Sequence, residues 1–596
     1  MLALFIKLER ATTQTEVCAT FLTLPNLASK SSRHRFDTSS LLLTVITAVV
    51  LLYGVIYPNL SVVTSSLQQS GVWTLANYRE VLSQRIVLEA ILTSLGVSLA
   101  TVFLCAMVGV PLAFLFERYT FPARRVFAAL AALPLVLPPL VGTVAFIFLC
   151  GESGILARFI QHLFRLQNSP WSLRGWAALL LFHTYTMYPF FYVFVGAGLR
   201  RVDASLAEAA RSLGASGPLV LRRVLLPQLT PSLIAAALLT FMISMASFSA
   251  PLLFGGNVRV LTLEIFTARQ RGDTAMAVTE TVILAIISLA TLVVFQRYEG
   301  TRRFVAAALK GSTRRRQPIS SGRLRTVATL LAILFSIVLA LPVVTLILVS
   351  FAREGSWTTE TLPAAYTTAN YLRLFSEPQS SEVFINSMLM SAIAAMAALL
   401  WSFCVVSLVV RRTRNDKLKF IGHGWRRLLS LLVLIPWALP GTVVAVSVAE
   451  AYGKPGLLSG SFVLVGTFWI LPVVYFLRFM PLVVRALQAS MEQLDPTLEE
   501  AAGSLGARAW QRFYRVTLPL VWPGAVAGTL LAFVIALGEY VASVIVFVPA
   551  NRPISIAIAS ELRDFNLGAA AAYGVVLIGI IAISMTVAGK LERWRS

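Results

Sequence analysis

Two stretches of this chain repeat one pattern of acidic, small and turn-forming residues. Residues 205–227 read SLAEAARSLGASGPLVLRRVLLP and residues 497–519 read TLEEAAGSLGARAWQRFYRVTLP. They align without a gap at an offset of 292, placing Glu208, Ala209 and Ala210 on Glu500, Ala501 and Ala502. Gly214 falls on Gly506, and Leu226-Pro227 falls on Leu518-Pro519. Such residues break no bonds; they start, shorten and stop helices. Ser205 and Thr497 stand three places before Glu208 and Glu500, the spacing of a capping box. Asp203 and Asp495, just upstream, would favour the positive end of a helix dipole. Alanine propagates the helix, a glycine ends it, and Leu-Pro is expected to close a second short basic segment before the next helix. The pattern predicts two small helices with a sharp bend, and its small residues leave room for a partner surface. A single copy could be an ordinary interfacial amphipathic segment; two copies at identical spacing point to docking.

Reactive constellations are missing from the sequence. The four cysteines form no CxxC pair, the histidines form no HExxH, and no GxxxxGK[ST] phosphate loop occurs. Any ATP-driven work therefore needs nucleotide and magnesium held by another subunit, with no cofactor on this chain. Glu539 lies in an otherwise apolar run, and an acid there is a functional-site hypothesis. With Tyr540 and its repeat counterpart Ser247 it is the candidate for a substrate pathway. An oxygen ligand of this kind suits a hard cation, although a helix end or a bond to a neighbouring span would explain it equally. Glu280, Glu450 and His183 read as packing or interfacial residues, and Tyr185, Tyr188 and Tyr475 as possible wall residues.

The elements that must position these residues are membrane spans. Of 596 residues, 57% are hydrophobic and only 13% charged, against about 25% charged in soluble domains. Apolar runs of the length needed to cross about 30 Å of hydrocarbon recur, and lipid forces them to be helical. Six spans are expected at 40–58, 90–116, 126–150, 175–199, 231–255 and 277–297. Six more are expected at 325–351, 385–410, 428–450, 461–483, 523–547 and 569–589. The net charge of +23 sits in short loops between them. That placement excludes nucleic-acid binding and follows the positive-inside rule, putting both termini and both repeated segments in the cytoplasm. Arg158, Arg165 and Arg174 break the rule mildly on the outer side.

The chain thus divides into a tail at 1–37, expected to be disordered, and a first half at 38–297 with a coupling loop at 200–230. A basic cytoplasmic linker at 298–324 follows, then a second half at 325–596 with a coupling loop at 490–522. The repeat extends beyond the loops. Asn77-Tyr78 recurs as Asn370-Tyr371, Ser94 as Ser387, and Pro134 and Pro138 as Pro436 and Pro440. Both halves run in one orientation, a parallel repeat about an axis along the membrane normal.

The pattern EAA-x3-G-x9-[IV]-x-LP resembles the signature loop of binding-protein-dependent ABC importer permeases, with valine at the usual isoleucine position in both copies. The resemblance covers about residues 40–590. It implies an all-α integral membrane protein of about twelve helices in two homologous halves, the type I importer permease fold. It also implies a bacterial inner-membrane location, two copies of an ABC ATPase subunit gripping the two loops, and a periplasmic or extracellular solute-binding protein. FSAPLLFGG at 248–256 and the segment at 536–558 most resemble fused iron(III)-type permeases. Similar permeases carry thiamine, aminoalkylphosphonate, polyamine, sulfate or molybdate. A twelve-span secondary transporter is the rival class, and it has no use for paired loops of this kind.

Overall fold

The computed structural model describes residues 38–202, 204–306, 316–319, 321–357, 360–409, 423–456 and 459–593. The predicted tail at 1–37, Asp203 and residues 307–315 of the linker lie outside them. The described parts of the linker's two ends are helical, the helix Thr274–Ala306 running into it and the helix Gly322–Ser350 starting within it.

Among the described residues, eleven helices are long and apolar enough to cross a membrane. The pair Leu428–Ala438 and Gly441–Ala451, bent by 106°, makes a twelfth if the two form one span. Proline explains the bend: Pro436 lies inside the first helix and Pro440 caps the second, and a proline can neither donate to the helix ladder nor tolerate the carbonyl four residues back. In the first half the matching run 126–150 is not one helix. It comprises Arg124–Leu130, a 3₁₀ turn at Leu133–Val136 and Pro139–Cys150, with Pro134 and Pro138 at the joints.

The fifth span of each half also departs from expectation. The helices run to Met245 and Leu537, not to 255 and 547. Residues 246–248 and 538–540 leave the helix, and short helices Ser249–Phe254 and Val541–Val546 follow. Breaks inside a membrane are tolerated where freed backbone groups find partners in the protein. Here Thr262 donates to the Ser247 carbonyl at 2.7 Å and Ser555 to the Glu539 carbonyl at 2.8 Å. Hydropathy registers residue type and passes over such a break.

The first span of each half packs onto the other half. Leu42–Ser66 lies against Pro378–Val409 and Gly441–Ala451. Tyr452 donates to the Tyr53 carbonyl at 2.6 Å, Tyr57 to the Ala451 carbonyl at 3.2 Å, and Ser65 to Glu450 at 2.8 Å. Gly322–Ser350 reciprocates against Pro139–Cys150, and Tyr185 donates to the Leu339 carbonyl at 2.9 Å. Two apolar cores mix residues of both halves, one around Val278, Val443 and Tyr475, the other around Leu140, Leu346 and Tyr573.

The repeated polar residues prove to be joints. Asn77 Nδ2 donates to the Ser66 and Gln68 carbonyls, both at 3.0 Å. Asn370 Nδ2 donates to those of Ser350 and Ala352, both at 2.9 Å. In each half the next residue, Tyr78 or Tyr371, bonds the serine hydroxyl of that same turn. Ser94 and Ser387 accept from the Leu261 and Ile554 backbone amides at 2.9 and 2.7 Å. Asn77 and Asn370 satisfy buried backbone groups where a span ends, and Ser94 and Ser387 do so at the start of a short helix.

Candidate functional site

Each repeated segment folds as a short helix, Ala204–Ser212 or Pro496–Ser504, turned by a glycine. Gly214 and Gly506 share a φ of +84°, a conformation that costs L-residues and suits glycine. The closure is a Schellman turn: Ala215 N–H reaches the Ala210 carbonyl and Ala507 N–H the Ala502 carbonyl, each at 3.0 Å. Ala210 and Ala502 thus sit where the helix ends, and Glu208, Ala209, Glu500 and Ala501 are exposed on it.

Two local expectations are corrected. The helix cap at the second loop is Asp495, whose side chain accepts from Thr497 N–H at 3.0 Å, so Thr497 is the second helical residue. Ser205 holds the same place in a helix that starts at Ala204. The aspartate wins because it precedes Pro496, which fixes the first helical φ and needs no hydrogen bond there. Leu226-Pro227 and Leu518-Pro519 do not end the second segment either. Each stands just after a π-turn, Leu221–Leu225 or Phe513–Thr517, and the helix runs on into the span. The wider turn, with Leu226 N–H on the Leu221 carbonyl and Leu518 N–H on the Phe513 carbonyl, relieves the clash that proline would make in a regular helix.

Both loops lie on one face of the bundle. Six spans separate them if the bent pair crosses, and its far end does meet the end of the first span, through Ser65 and Glu450. At the tip of each loop the residue before the glycine is almost bare: Leu213 is 89% exposed and Leu505 88%. Leu206 and Leu498, about two helical turns earlier at matched positions, are exposed too. The sequence pattern gave these leucines no role of their own; their identity at both tips was the available signal.

The second cluster surrounds the breaks in the fifth spans. Glu539 is buried and paired with Arg478, Oε2 to Nε at 3.1 Å, and its Oε1 accepts from Ala542 N–H at 2.9 Å. Arg478, on the helix Ile470–Glu492, went unnoticed in sequence because one arginine in an apolar run carries no spacing. Ser247, the counterpart of Glu539, meets His183 Nε2 at 2.9 Å, while Thr101 and Ser244 flank Nδ1. Tyr475, the counterpart of His183, bonds Ser543 at 2.7 Å. The next residues, Phe248 and Tyr540, are also repeat equivalents. Both are buried, and their rings meet across the halves with centroids 5.9 Å apart. Tyr188 instead bonds the Ala131 carbonyl in the first half. Glu280 is buried among the spans, Glu450 is interfacial, and among the described residues no group of three or more His, Cys, Asp or Glu side chains could hold a metal.

Two of the three outer arginines that broke the charge rule have partners. Arg158 donates to the Glu360 carbonyl at 2.8 Å and lies over the Trp357 ring, and Arg174 pairs with Glu152 at 3.2 Å.

Residues 108–299 and 420–596 each match the family described as binding-protein-dependent transport system inner membrane component. The chain belongs to that family. It is a fused ABC importer permease, an all-α membrane protein that carries the domain twice. The family decides against a secondary transporter and implies an ABC ATPase and a solute-binding protein as partners. The permease is 32% identical to a probable ABC transporter permease of Sinorhizobium fredii, over 86% of this chain and 89% of that one. It is 25% identical to a ferric transport system permease of Actinobacillus pleuropneumoniae, over 89% and 75% of the two chains. A probable sulfate transport system permease of Chlorella vulgaris, 30% identical, matches 38% of this permease but 85% of its own length. The sulfate relative is thus one half in size.

Proposed function

We propose that this permease forms the whole membrane pathway of an importer for iron(III), driven by two copies of an ATPase that dock on its two loops. The observation that carries the docking reading is the pair of bare leucines, Leu213 and Leu505, on matched glycine-closed helices facing one way. An exposed apolar tip costs free energy in water unless a partner covers it. Glu208, Ala209, Ala210, Gly214, Leu226 and Pro227 shape the first loop, and Glu500, Ala501, Ala502, Gly506, Leu518 and Pro519 the second. Nucleotide and magnesium belong to the ATPase, and this chain needs no cofactor. The basic face is cytoplasmic, with both termini on it, and the membrane is the bacterial inner membrane.

Transport then proceeds by alternating access. A binding protein delivers solute to the outer face, nucleotide binding draws the loops together, and the two halves rock. Phe248 and Tyr540 close the axis in the state described here and part when the cavity opens. Glu539 and Ser247 lie beside that closure, one per half. The ion pair of Glu539 with Arg478 would open to offer an oxygen ligand only when the pathway does.

Iron(III) is favoured because a relative matching 89% of this chain is a ferric permease, whereas the sulfate relative matches a single half. Uptake of radiolabelled iron(III) by a strain lacking the gene, with and without the plasmid-borne chain, tests it. Restored iron uptake is expected. Restored uptake of sulfate, thiamine or aminoalkylphosphonate with iron unchanged would overturn the cargo and leave the docking reading intact.

A further inference from the structure

Among the described residues, the first loop has a fastening with no counterpart in the second half. Glu117 ends the long helix Arg85–Arg118, and its side chain is 6% exposed between two arginines. One carboxylate oxygen pairs with Arg200 and the other with Arg316 at 2.9 Å. Arg200 stands near the end of helix Gly175–Arg201, immediately before the docking helix Ala204–Ser212. Arg316 belongs to the linker, a few residues before the helix Gly322–Ser350 of the other half. The linker is also held by backbone: Gln317–Pro318 pairs in parallel with Tyr119–Thr120, and Ile319 packs on the core of Phe116 and Phe121. At the position equivalent to Arg200 the second half has Glu492, bonded to Gln488 of its own helix at 2.8 Å.

We propose that Glu117 is a positioning residue that ties the base of the first docking loop to the linker, so that movement of this loop is passed to the first helix of the second half. The chemistry suits a joint. A carboxylate shared by two guanidinium groups holds both in fixed directions, and in a low-dielectric setting it loses more on breaking than an exposed pair would. Without Glu117, Arg200 and Arg316 would face each other as like charges. The strap stays closed through the cycle and acts by transmission. Its helix Gly322–Ser350 lies against Pro139–Cys150 of the first half and Leu567–Arg593 of the second, so a pull at Arg316 reaches the interface between the halves. Coupling of this kind is a free energy linking two sites through an element both of them bias.

The inference rests on the docking role proposed for residues 204–225. Its test uses the full chain, co-expressed with its ATPase, reconstituted in vesicles, and measured with and without its binding protein supplied with iron(III). Arg316→Gln should lower the ratio of stimulated to basal ATP turnover about fivefold while the ATPase co-purifies at the wild-type ratio. Glu117→Ala should lower that ratio at least as far, since it also releases Arg200. Tyr119 and Gln317 are register partners, so Tyr119→Cys with Gln317→Cys allows a disulfide. Oxidised in the Arg316→Gln background, that pair should restore the ratio, and reduction should remove the gain. A purely structural role would shift accumulation or thermal stability without this redox-dependent rescue. An unchanged ratio in Arg316→Gln, or a disulfide that restores nothing, would overturn the strap. A wild-type chain that retains no ATPase would instead refute the docking reading.

Discussion

The two docking loops share a backbone and differ in what lies beneath it. Under the first loop Ala207, Val220 and Leu225 form a small apolar core. Under the second, the equivalents of Ala207 and Leu225 are Glu499 and Thr517, and Thr517 donates to the Glu499 carboxylate. The first loop is fastened from outside through Glu117 and the linker; the second carries its own polar bond to the root of the following span. The glycine φ, the Schellman closure and the bare leucine are common to both. What the halves share is therefore the exposed surface of the loop, and what they have exchanged is the means of holding it. The breaks in the fifth spans show the same division, with Arg478 and Glu539 in one half answered by His183 and Ser247 in the other.

Substitutions that strike the shared part should do the most damage. Gly214→Pro with Gly506→Pro imposes a φ near −65° where +84° is needed. Uptake should fall to background while membrane insertion, read by protease accessibility, is unchanged. Next comes a change on one side only. Glu539→Gln leaves Arg478 as an unpaired buried charge, a loss of about 3–5 kcal/mol, whereas Ser247→Ala removes a hydrogen bond of about 1 kcal/mol. Thermal unfolding in detergent should rank them in that order. Leu213→Asp and Leu505→Asp should each weaken ATPase retention by about 2 kcal/mol or more, as loss of an interface anchor does, and equal losses would show that the tips are equivalent. The most local effect should come from Thr517→Val, which takes one donor from Glu499 at about 1 kcal/mol. It should raise hydrogen exchange in residues 496–517 and leave 204–225 alone.

Composition, loop charge and the offset of 292 made the membrane class, the span count and the two loops legible, because each depends on residue type summed over a window. The breaks at 246–248 and 538–540 were hidden, since one or two polar residues barely change the hydropathy of a long apolar run, and the bonds that satisfy the breaks come from Thr262 and Ser555 downstream. Arg478 was hidden for a related reason: its partner Glu539 is far away in sequence, and only the fold brings the two side chains to 3.1 Å. At the second loop capping was misplaced by two residues, because Thr497 satisfies the capping-box spacing while Asp495 takes the cap in space. The repeat, by contrast, carried more than it announced. Asn77, Asn370, Ser94 and Ser387 entered as markers of ancestry and proved to be the bonds that tie short helices to spans.

Native mass spectrometry of the complex extracted from membranes tests the central claim most directly. Two matched loops on one face predict one permease chain with two ATPase subunits, falling to one subunit when either Leu213→Asp or Leu505→Asp is introduced. A wild-type complex holding a single ATPase subunit, or two subunits that survive both substitutions together, would contradict it.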